Sequence, residues 1–120
     1  MEGIFLDDWR FLNDAKHMTY PTGIKWMVIR TFSDFGSLVL ELEQLPQYVS
    51  FDYDLNSDKD GIDCLKWLVE YCREKQLPLP ECFIHSQHDT GKEEMEILLK
   101  VIIMHLPPSR VPLPKERQNV

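Results

Sequence analysis

The sequence predicts an α/β fold, a single three-layer domain built on a short, mainly parallel sheet. Four apolar runs are too short for helices and rich in β-branched and aromatic residues, and segments with helical periodicity follow three of them. The runs are largely continuous rather than alternating, as expected of strands that are buried on both faces. A length of 120 residues suits one domain. We place it at residues 1–108, with residues 109–120 as a Pro-rich edge segment and tail.

Strands and helices follow one another along most of the chain. The strands are predicted at residues 3–6, 25–31, 48–51 and 81–85. The helices are predicted at residues 34–44 and 60–75, and from Thr90 to Leu106. Ser33 is the expected N-cap of the first helix, and Thr90 with Glu93 forms a capping box for the third. The expected caps of the second helix are Ser57, Asp58 or Asp60.

Residues 14–24 interrupt this alternation. A regular α/β fold would have a helix here, but Pro21 and Gly23 predict a loop, after a single turn around residues 9–13. Near the other end, RVPL at residues 110–113 is a candidate edge strand, where prolines are tolerated. Alternating elements with right-handed crossovers favour a flavodoxin-like strand order.

Charge and composition limit the possible partners. The formal net charge of −7 argues against a long track of phosphate contacts on nucleic acid, yet allows a nucleotide or a single RNA end held through a divalent ion. The first ten residues do not resemble a signal peptide, and no run approaches the roughly 20 apolar residues of a spanning helix. The three cysteines have no CxxC spacing and are expected as free thiols. We therefore expect a cytoplasmic protein with no membrane partner.

Reactive side chains lie at the end of every predicted strand or directly after it. They are Asp7 and Asp8, Arg30, Asp52 and Asp54, and His85 and Ser86. Because ligands bind beyond the carboxyl ends of parallel strands, we expect these side chains in one crevice. Carboxylates a few ångströms apart repel unless a cation joins them, so Asp7, Asp8 and Asp52 predict a magnesium site. The alternative is that Asp8 caps a turn while Asp52 and Asp54 are solvated.

The stretch SFDYDLNSDKDGIDCL at residues 50–65 raises a calcium-loop alternative. The opening of such a loop is matched by Asn56, Asp58, Asp60 and Gly61. The position that should carry a bidentate Glu is Trp67, which cannot coordinate an ion. A strand tip followed by a capped turn is therefore the favoured interpretation.

The segment after His85 is a candidate phosphate site. Its candidate ligands are Ser86, Gly91 and Lys92. They lie where a helix begins, and its unpaired N–H groups and dipole favour an anion, with His85 as proton donor or acceptor. Arg30 can clamp a phosphate in bidentate fashion or pair with Asp7 or Asp52. The alternative for the whole segment is a capping role without a ligand.

Five segments occur together in this order. They are FLDDWR at 5–10, WMVIRT at 26–31, SFDYDL at 50–55, Gly61 with Trp67-Leu68, and HSQHDTGKEEM at 85–95. In these segments the chain resembles the cyclic-phosphate-processing receiver-like domains, relatives of two-component receivers, over roughly residues 3 to 100. The resemblance implies a receiver-like fold and action on cyclic phosphates of nucleotides or RNA ends. The settings that it implies are RNA repair and phage–host conflict.

The resemblance also implies roles by position. The implied metal ligands, for Mg²⁺ or Mn²⁺, are Asp7, Asp8, Asp52 and Asp54. The implied catalytic residues are Asp52, His85 and Ser86. The implied phosphate-binding residues are Arg10, Arg30, Gly91 and Lys92. Two departures from the family pattern are Tyr53, where His is frequent, and Lys92, where Arg is usual. The late lysine of receivers has no secure counterpart, which argues against phosphorelay signalling.

Two functions follow from these observations. The first is a metal-dependent phosphoesterase that opens cyclic phosphates. The second is a non-catalytic receiver-like module or inhibitor that binds a nucleotide or a protein partner. The last predicted helix is apolar on much of its surface, which predicts either deep burial or a homodimer contact.

Overall fold

Four parallel strands form the sheet of this computed structural model, which describes residues 2–15, 18–55, 58–86, 89–107 and 110–112. The strands are β1 (Glu2–Leu6), β2 (Lys25–Ile29), β3 (Tyr48–Phe51) and β4 (Glu81–Ile84). The helices are α1 (Phe32–Glu41), α2 (Gly61–Lys75) and α3 (Asp89–His105). The strands lie in the order β2-β1-β3-β4, which confirms the predicted α/β class with a flavodoxin-like order.

One face of the sheet packs against all three helices. Alternate strand residues join a single hydrophobic cluster with residues of each helix. The strand members include Ile4, Leu6, Val49, Phe51 and Ile84, and the helix members include Phe35, Leu65, Leu68 and Met95. Because the same strand residues meet α1, α2 and α3, the three helices form one layer.

The connection between β1 and β2 covers the other face of the sheet. The Tyr20 ring makes edge-on contacts with Trp26 of β2 and Phe83 of β4, at centroid distances of 5.1 and 5.3 Å. Within the described residues 7–15 and 18–24, the regular structure is one 3₁₀ turn at Leu12–Asp14. The predicted loop is therefore confirmed, with its turn at residues 12–14, and this loop forms the third layer.

Asp60 caps α2, one of the three residues predicted to do so. Its amide donates to Asp63 Oδ2 at 2.9 Å, while its own Oδ1 accepts from the Leu55 amide at 3.2 Å. The residue thus joins the tip of β3 to the start of α2. Asn56 and Ser57 lie outside the described residues.

Two predicted helix starts are wrong. The cap of α1 is Thr31 and not Ser33, because the Thr31 hydroxyl accepts from the Asp34 amide at 3.0 Å. The helix begins two residues earlier than predicted and ends at Glu41 rather than residue 44. Thr90 lies inside α3, which begins at Asp89, so Thr90 with Glu93 does not form the cap of α3.

Residues 110–112 are not in the predicted edge strand, and residue 113 lies outside the described residues. The Arg110 amide donates to the Pro107 carbonyl at 2.8 Å, which makes a turn. The Arg110 carbonyl accepts from the Leu79 amide at 3.4 Å, before β4 begins. Pro112 has no N–H to extend this contact into a strand ladder.

The outer side of α3 carries an apolar row. Ile97, Val101 and Met104 are 55%, 48% and 78% exposed at helical spacing. The predicted homodimer contact through α3 stays a prediction, and this row is the surface that it would use.

The three cysteines are free thiols, as predicted. Burial raises the pKa of Cys64 to about 12 and that of Cys72 to about 11, so neither is a reactive thiolate near neutral pH. Among the helices that the structure describes, none is both long enough and apolar enough to cross a bilayer.

Candidate functional site

Three strands end side by side at one edge of the sheet. The residues paired in register there are Leu6, Phe51 and Ile84. The residues that follow them are Asp7, Asp52 and His85. Their amides extend the ladder, since Asp52 donates to the Leu6 carbonyl at 3.0 Å and His85 donates to the Phe51 carbonyl at 2.9 Å. By the alternation of side chains along a strand, all three point to the face opposite the helices.

The Asp7 carboxylate is fully buried and accepts four hydrogen bonds. Oδ1 accepts from the amides of Trp9 and Arg10 at 3.0 and 2.9 Å. Oδ2 accepts from Arg10 Nε at 2.9 Å and lies 3.1 Å from His85 Nε2. Burial alone would raise the pKa of Asp7, but these hydrogen bonds outweigh it and hold the pKa well below its ordinary value. Asp7 is therefore ionised at neutral pH.

A buried hydrogen-bond chain continues from Asp7 through His85. His85 Nδ1 lies 2.7 Å from Ser50 Oγ, and that oxygen lies 2.7 Å from Tyr20 Oη. The imidazole stacks on the Phe5 ring with a centroid distance of 4.3 Å. The ring of His85 is thus fixed on both edges and on one face.

The partners of His85 determine its tautomer. Burial lowers its pKa, and the bond to Asp7 opposes this only in part, so the ring is neutral at neutral pH. A carboxylate can only accept, so the single ring proton lies on Nε2 and points to Asp7. Nδ1 then accepts from Ser50, and Ser50 accepts from Tyr20, whose pKa burial raises to about 12.

Arg10 lies between the two buried acids with one unsatisfied nitrogen. Its Nε donates to Asp7, and its Nη2 lies 3.5 Å from Asp52 Oδ1. Although Arg10 is only 5% exposed, its Nη1 has no hydrogen-bond partner in the part of the chain that the structure describes. A buried guanidinium N–H without an acceptor is costly, and an anion at this position would satisfy it. The side chains of Asp7, Arg10, Asp52 and His85 are called the buried cluster below.

Asp52 is less well stabilised as a carboxylate than Asp7. Its Oδ1 accepts from the Tyr53 amide at 2.9 Å, and its carboxylate also bonds the Ser86 side chain. Burial and the charge of Asp7 nevertheless raise the pKa of Asp52 above its ordinary value. Of the two buried acids, Asp52 takes up a proton more readily.

Asp8 and Asp54 lie at the rim of the buried cluster. Asp8 is half-buried and Asp54 is exposed. The pKa of Asp8 is raised by burial first and then by the charges of Asp7 and Asp54, so these carboxylates are close enough to repel. All four predicted metal ligands therefore share one end of the sheet, with Asp7 and Asp52 inside.

The donors of the buried cluster fit a divalent cation in type and spacing. Asp7, Asp52 and His85 each offer one ligand atom, and these atoms lie within 4.8 Å of one another. The two carboxylates suit Mg²⁺ or Mn²⁺, whereas His85 Nε2 carries the proton that it donates to Asp7 and has no lone pair for an ion in this tautomer. The Arg10 guanidinium already contacts both of these carboxylates.

Arg30 is held by backbone oxygens. Its Nη1 donates to the carbonyls of Asp7 and Arg10 at 3.1 and 2.6 Å, and its guanidinium carbon lies 4.6 Å from the centre of the Phe11 ring. The contact is thus with the Asp7 backbone and not, as the ion-pair alternative had it, with a carboxylate. Arg30 fixes the turn that presents Arg10, and its predicted role in phosphate binding stays a prediction.

Gly91 and Lys92 lie in the first turn of α3. A Cβ at Gly91 would collide with the Tyr53 ring, so the glycine allows that ring to pack on the helix. Lys92 lines a groove of about 390 Å³ along β4 with Phe83 and Ile103. Their predicted roles in phosphate binding stay predictions, and packing alone accounts for Gly91.

Ser50 and Tyr20 are site residues that the sequence analysis missed. Ser50 precedes Asp52 by two positions, so strand periodicity places both side chains on one face, and a polar residue within the apolar YVSF run was the available signal. Tyr20 is in a loop, where no periodicity connects it to the site.

Comparison with known proteins gives one result for the family. The model of the cyclic-phosphate processing receiver domain matches residues 3–101, which include all of the predicted site residues. No curated protein and no solved structure matches the chain. The match agrees with the sheet order and with the polar strand ends, and it links the chain to the processing of cyclic phosphates. The chain belongs to the cyclic-phosphate processing receiver domain family.

Proposed function

We propose that the chain is a metal-dependent phosphoesterase that opens a cyclic phosphate of a nucleotide or an RNA end. The observation that carries the proposal is the buried cluster itself. Two carboxylates, a neutral imidazole and a guanidinium meet at the carboxyl ends of parallel strands, and one guanidinium nitrogen has no partner among the described residues. Such a constellation can bind a phosphate and move a proton within a few ångströms.

Arg10 is the proposed phosphate ligand. Its Nη1 has no acceptor among the residues that the structure describes, while Nε and Nη2 face Asp7 and Asp52. A phosphate oxygen at Nη1 would complete the hydrogen bonds of the guanidinium and would neutralise part of the charge that develops during ring opening. The other predicted phosphate ligands, which are Arg30, Gly91 and Lys92, would act at the same end of the sheet or from the start of α3.

Asp52 is the proposed proton acceptor of the reaction. Its raised pKa lies closer to neutrality than that of Asp7, as general base catalysis requires. In this scheme a water oxygen bonds to phosphorus, one ring P–O bond breaks, and the proton taken by Asp52 ends on the released hydroxyl. Ser86 orients Asp52 through its hydrogen bond. His85 is neutral and donates to Asp7, so it holds that carboxylate in place rather than protonating a leaving group.

A divalent cation would be held by Asp7 and Asp52, with Asp8 and Asp54 at the rim, while His85 keeps its Nε2 proton on Asp7 and is not a ligand. When bound, it would polarise the phosphoryl oxygens and lower the pKa of an attacking water. Carboxylate oxygens bind both Mg²⁺ and Mn²⁺, the two ions that the family resemblance implies.

The test is turnover of 2′,3′-cyclic nucleotides and of RNA with a cyclic end, followed by ³¹P NMR with Mn²⁺ or Mg²⁺ present. The Asp52→Asn variant should lose about 10²-fold or more in rate, the contribution expected of a positioned base. Asp34→Asn, at an exposed position in α1, makes the same chemical change and should leave the rate unaltered. Equal turnover by Asp52→Asn and by the unaltered chain would reject this mechanism.

A second function is favoured by how completely Asp7 is satisfied. Its carboxylate is fully buried with four hydrogen bonds, which is also what a structural residue of a binding module would show. In that case the chain binds a nucleotide or a protein partner without turnover. Tight binding of a cyclic nucleotide with no product at any Mn²⁺ or Mg²⁺ concentration would support this alternative against the enzyme.

A further inference from the structure

Every acceptor position of the Asp7 carboxylate is in use. An ionised carboxylate offers about four lone-pair sites, and Asp7 accepts from the amides of Trp9 and Arg10, from Arg10 Nε and from His85 Nε2. A metal ion at Asp7 must therefore replace one of these donors. The identity of that donor determines how the site responds to metal.

Arg10 is the donor best able to leave. The two amides belong to the turn that follows β1, and the His85 ring is fixed by Ser50 and by the Phe5 stack. The guanidinium of Arg10 is bound less completely, because its Nη2 is 3.5 Å from Asp52 Oδ1 and its Nη1 has no partner among the described residues. Arginine also has a long, flexible side chain that can turn without moving the backbone.

Charge makes Arg10 and a metal ion compete for this position. The guanidinium lies within hydrogen-bonding distance of Asp7 and close to Asp52, where it supplies the positive charge that the two buried acids need. A divalent ion beside it would place three positive charges against the two buried carboxylates, because Asp8 and Asp54 lie only at the rim. The Coulomb repulsion in such surroundings is several kcal/mol at an effective dielectric constant of about 20.

We propose that Arg10 is the resident counter-cation of Asp7 and Asp52, that a divalent cation replaces it there, and that a phosphodiester anion promotes the exchange by binding the displaced guanidinium. Nη1, which has no partner within the described part of the chain, gives the anion its first contact. Metal and anion then bind with positive coupling, and each raises the affinity of the other by the same factor. The choice of a phosphodiester as the anion rests on the proposed function. The competition between Arg10 and the metal ion can be measured without any enzymatic turnover.

The competition is tested by Mn²⁺ affinity, read from the EPR signal of free Mn²⁺ at pH 7. Arg10→Gln removes the guanidinium charge and should bind Mn²⁺ about tenfold more tightly than the unaltered chain, within the range of ordinary coupling between sites. Arg73→Gln is the matched control, since Arg73 is exposed on α2 and paired with Glu70 at 3.2 Å. It makes the same change in net charge and should leave the affinity unchanged.

The anion arm uses dimethyl phosphate, a stable phosphodiester monoanion, against chloride at equal ionic strength. In the unaltered chain it should tighten Mn²⁺ binding at least about fivefold. In Arg10→Gln, where no guanidinium remains to be recruited, the effect should disappear. If circular dichroism shows that Arg10→Gln does not fold, the inference is decided by the effect of dimethyl phosphate on Mn²⁺ binding to the unaltered chain.

Three results would overturn the inference. One is Mn²⁺ affinity in a folded Arg10→Gln variant that equals or falls below that of the unaltered chain, including no binding by either. Another is dimethyl phosphate that leaves the Mn²⁺ affinity of the unaltered chain unchanged or weakens it. The last is full Mn²⁺ binding by Asp7→Asn, which would place the ion elsewhere. If the metal ion replaces Arg10 but no cyclic phosphate is turned over, the inference is upheld and the proposed phosphoesterase activity is refuted.

Discussion

The variants Asp7→Asn and Asp52→Asn make the same chemical change in two neighbouring buried carboxylates, and we expect them to alter stability in opposite directions. In Asp7→Asn the amide oxygen can keep the bonds from the backbone of Trp9 and Arg10. The amide nitrogen would then face two donors, Arg10 Nε and His85 Nε2, and Arg10 would lose its main counter-ion. Removing one partner of a buried ion pair costs about 3–5 kcal/mol, and the retained amide bonds favour the lower figure of about 3 kcal/mol.

Asp52→Asn should stabilise the fold. The charge of Asp52 is opposed by burial and by Asp7, as its raised pKa indicates. A neutral side chain of the same shape removes that repulsion and keeps an acceptor for the Tyr53 amide. We expect a gain of about 1 kcal/mol, or a rise in melting temperature of about 4 °C for a chain of this size. Loss of activity with gain of stability is typical of a residue retained for chemistry.

The two effects should depend on pH in different windows. The pKa of Asp7 is lowered on folding, so its contribution is fully present above the unfolded pKa near 3.9 and is lost only as the pH falls towards the folded value. The pKa of Asp52 is raised on folding. Its destabilising effect is fully present above the folded pKa, declines as the pH falls and disappears only below the unfolded pKa of about 3.9. The gain in Asp52→Asn should therefore shrink to less than half near pH 4, while most of the loss in Asp7→Asn persists there.

Urea unfolding followed by circular dichroism at pH 7 and pH 4 measures both effects. Asp34→Asn serves as the control and should cost no more than about 0.5 kcal/mol, the loss of one exposed acid in the first turn of α1. If Asp7→Asn and Asp52→Asn destabilised the fold to a similar extent, the reasoning would be refuted. It holds that the charge of Asp7 is stabilised by its hydrogen bonds and that the charge of Asp52 destabilises the fold. If Asp7→Asn left the free energy of unfolding unchanged, the buried Arg10 guanidinium would not need Asp7 as its counter-ion.

Three further predictions concern packing, tautomer and assembly. Gly91→Ala should lower the free energy of unfolding by urea by about 1–3 kcal/mol, because the new Cβ meets the Tyr53 ring. In a Tyr53→Ala background the same change should stabilise the fold by up to about 1 kcal/mol, since only helix propensity then acts. A loss of stability that persists in that background contradicts the packing role of Gly91. Ser50→Ala should leave the ¹⁵N shift pattern of His85 in its single Nε2–H form, because the Asp7 carboxylate can only accept and alone holds the proton on that nitrogen; a mixture of tautomers would contradict this assignment. Val101→Glu should abolish any dimer seen by sedimentation, since Val101 lies at the centre of the exposed apolar row of α3; a dimer that survives uses another surface.

The positions of the strands could be read from the sequence because each is a short apolar run with a polar residue at its end. The site followed from them, since parallel strands in register must place Asp7, Asp52 and His85 at one edge. The start of α1 could not be predicted in the same way. Thr31 and Ser33 are both good caps, and the choice depends on where β2 releases the chain, which is a tertiary property.

Long side chains explain most of what remained open at the site. Arg30 follows a strand that borders β1, so the sequence places its Cα within reach of Asp7. A side chain of that length can meet a carboxylate, a phosphate or a carbonyl from one backbone position, and here it meets two carbonyls. Tyr20 is a second case, because the loop that carries it has no repeat that connects its hydroxyl to Ser50.

The described residues between β1 and β2 form no α-helix. The fold of this connection therefore depends partly on hydrogen bonds to residues of the site. Helices on the other face are held by their own hydrogen bonds, whereas this connection is held partly by the site. Asp7 accepts from two of its amides, and Arg30 donates to two of its carbonyls. A backbone that depends on a carboxylate for its hydrogen bonds must respond when that carboxylate changes partner. Any cation or phosphate that rearranges Asp7 and Arg10 should therefore be felt along residues 8–15 before it is felt in the helical layer, and amide hydrogen exchange in that segment is where the response should first appear.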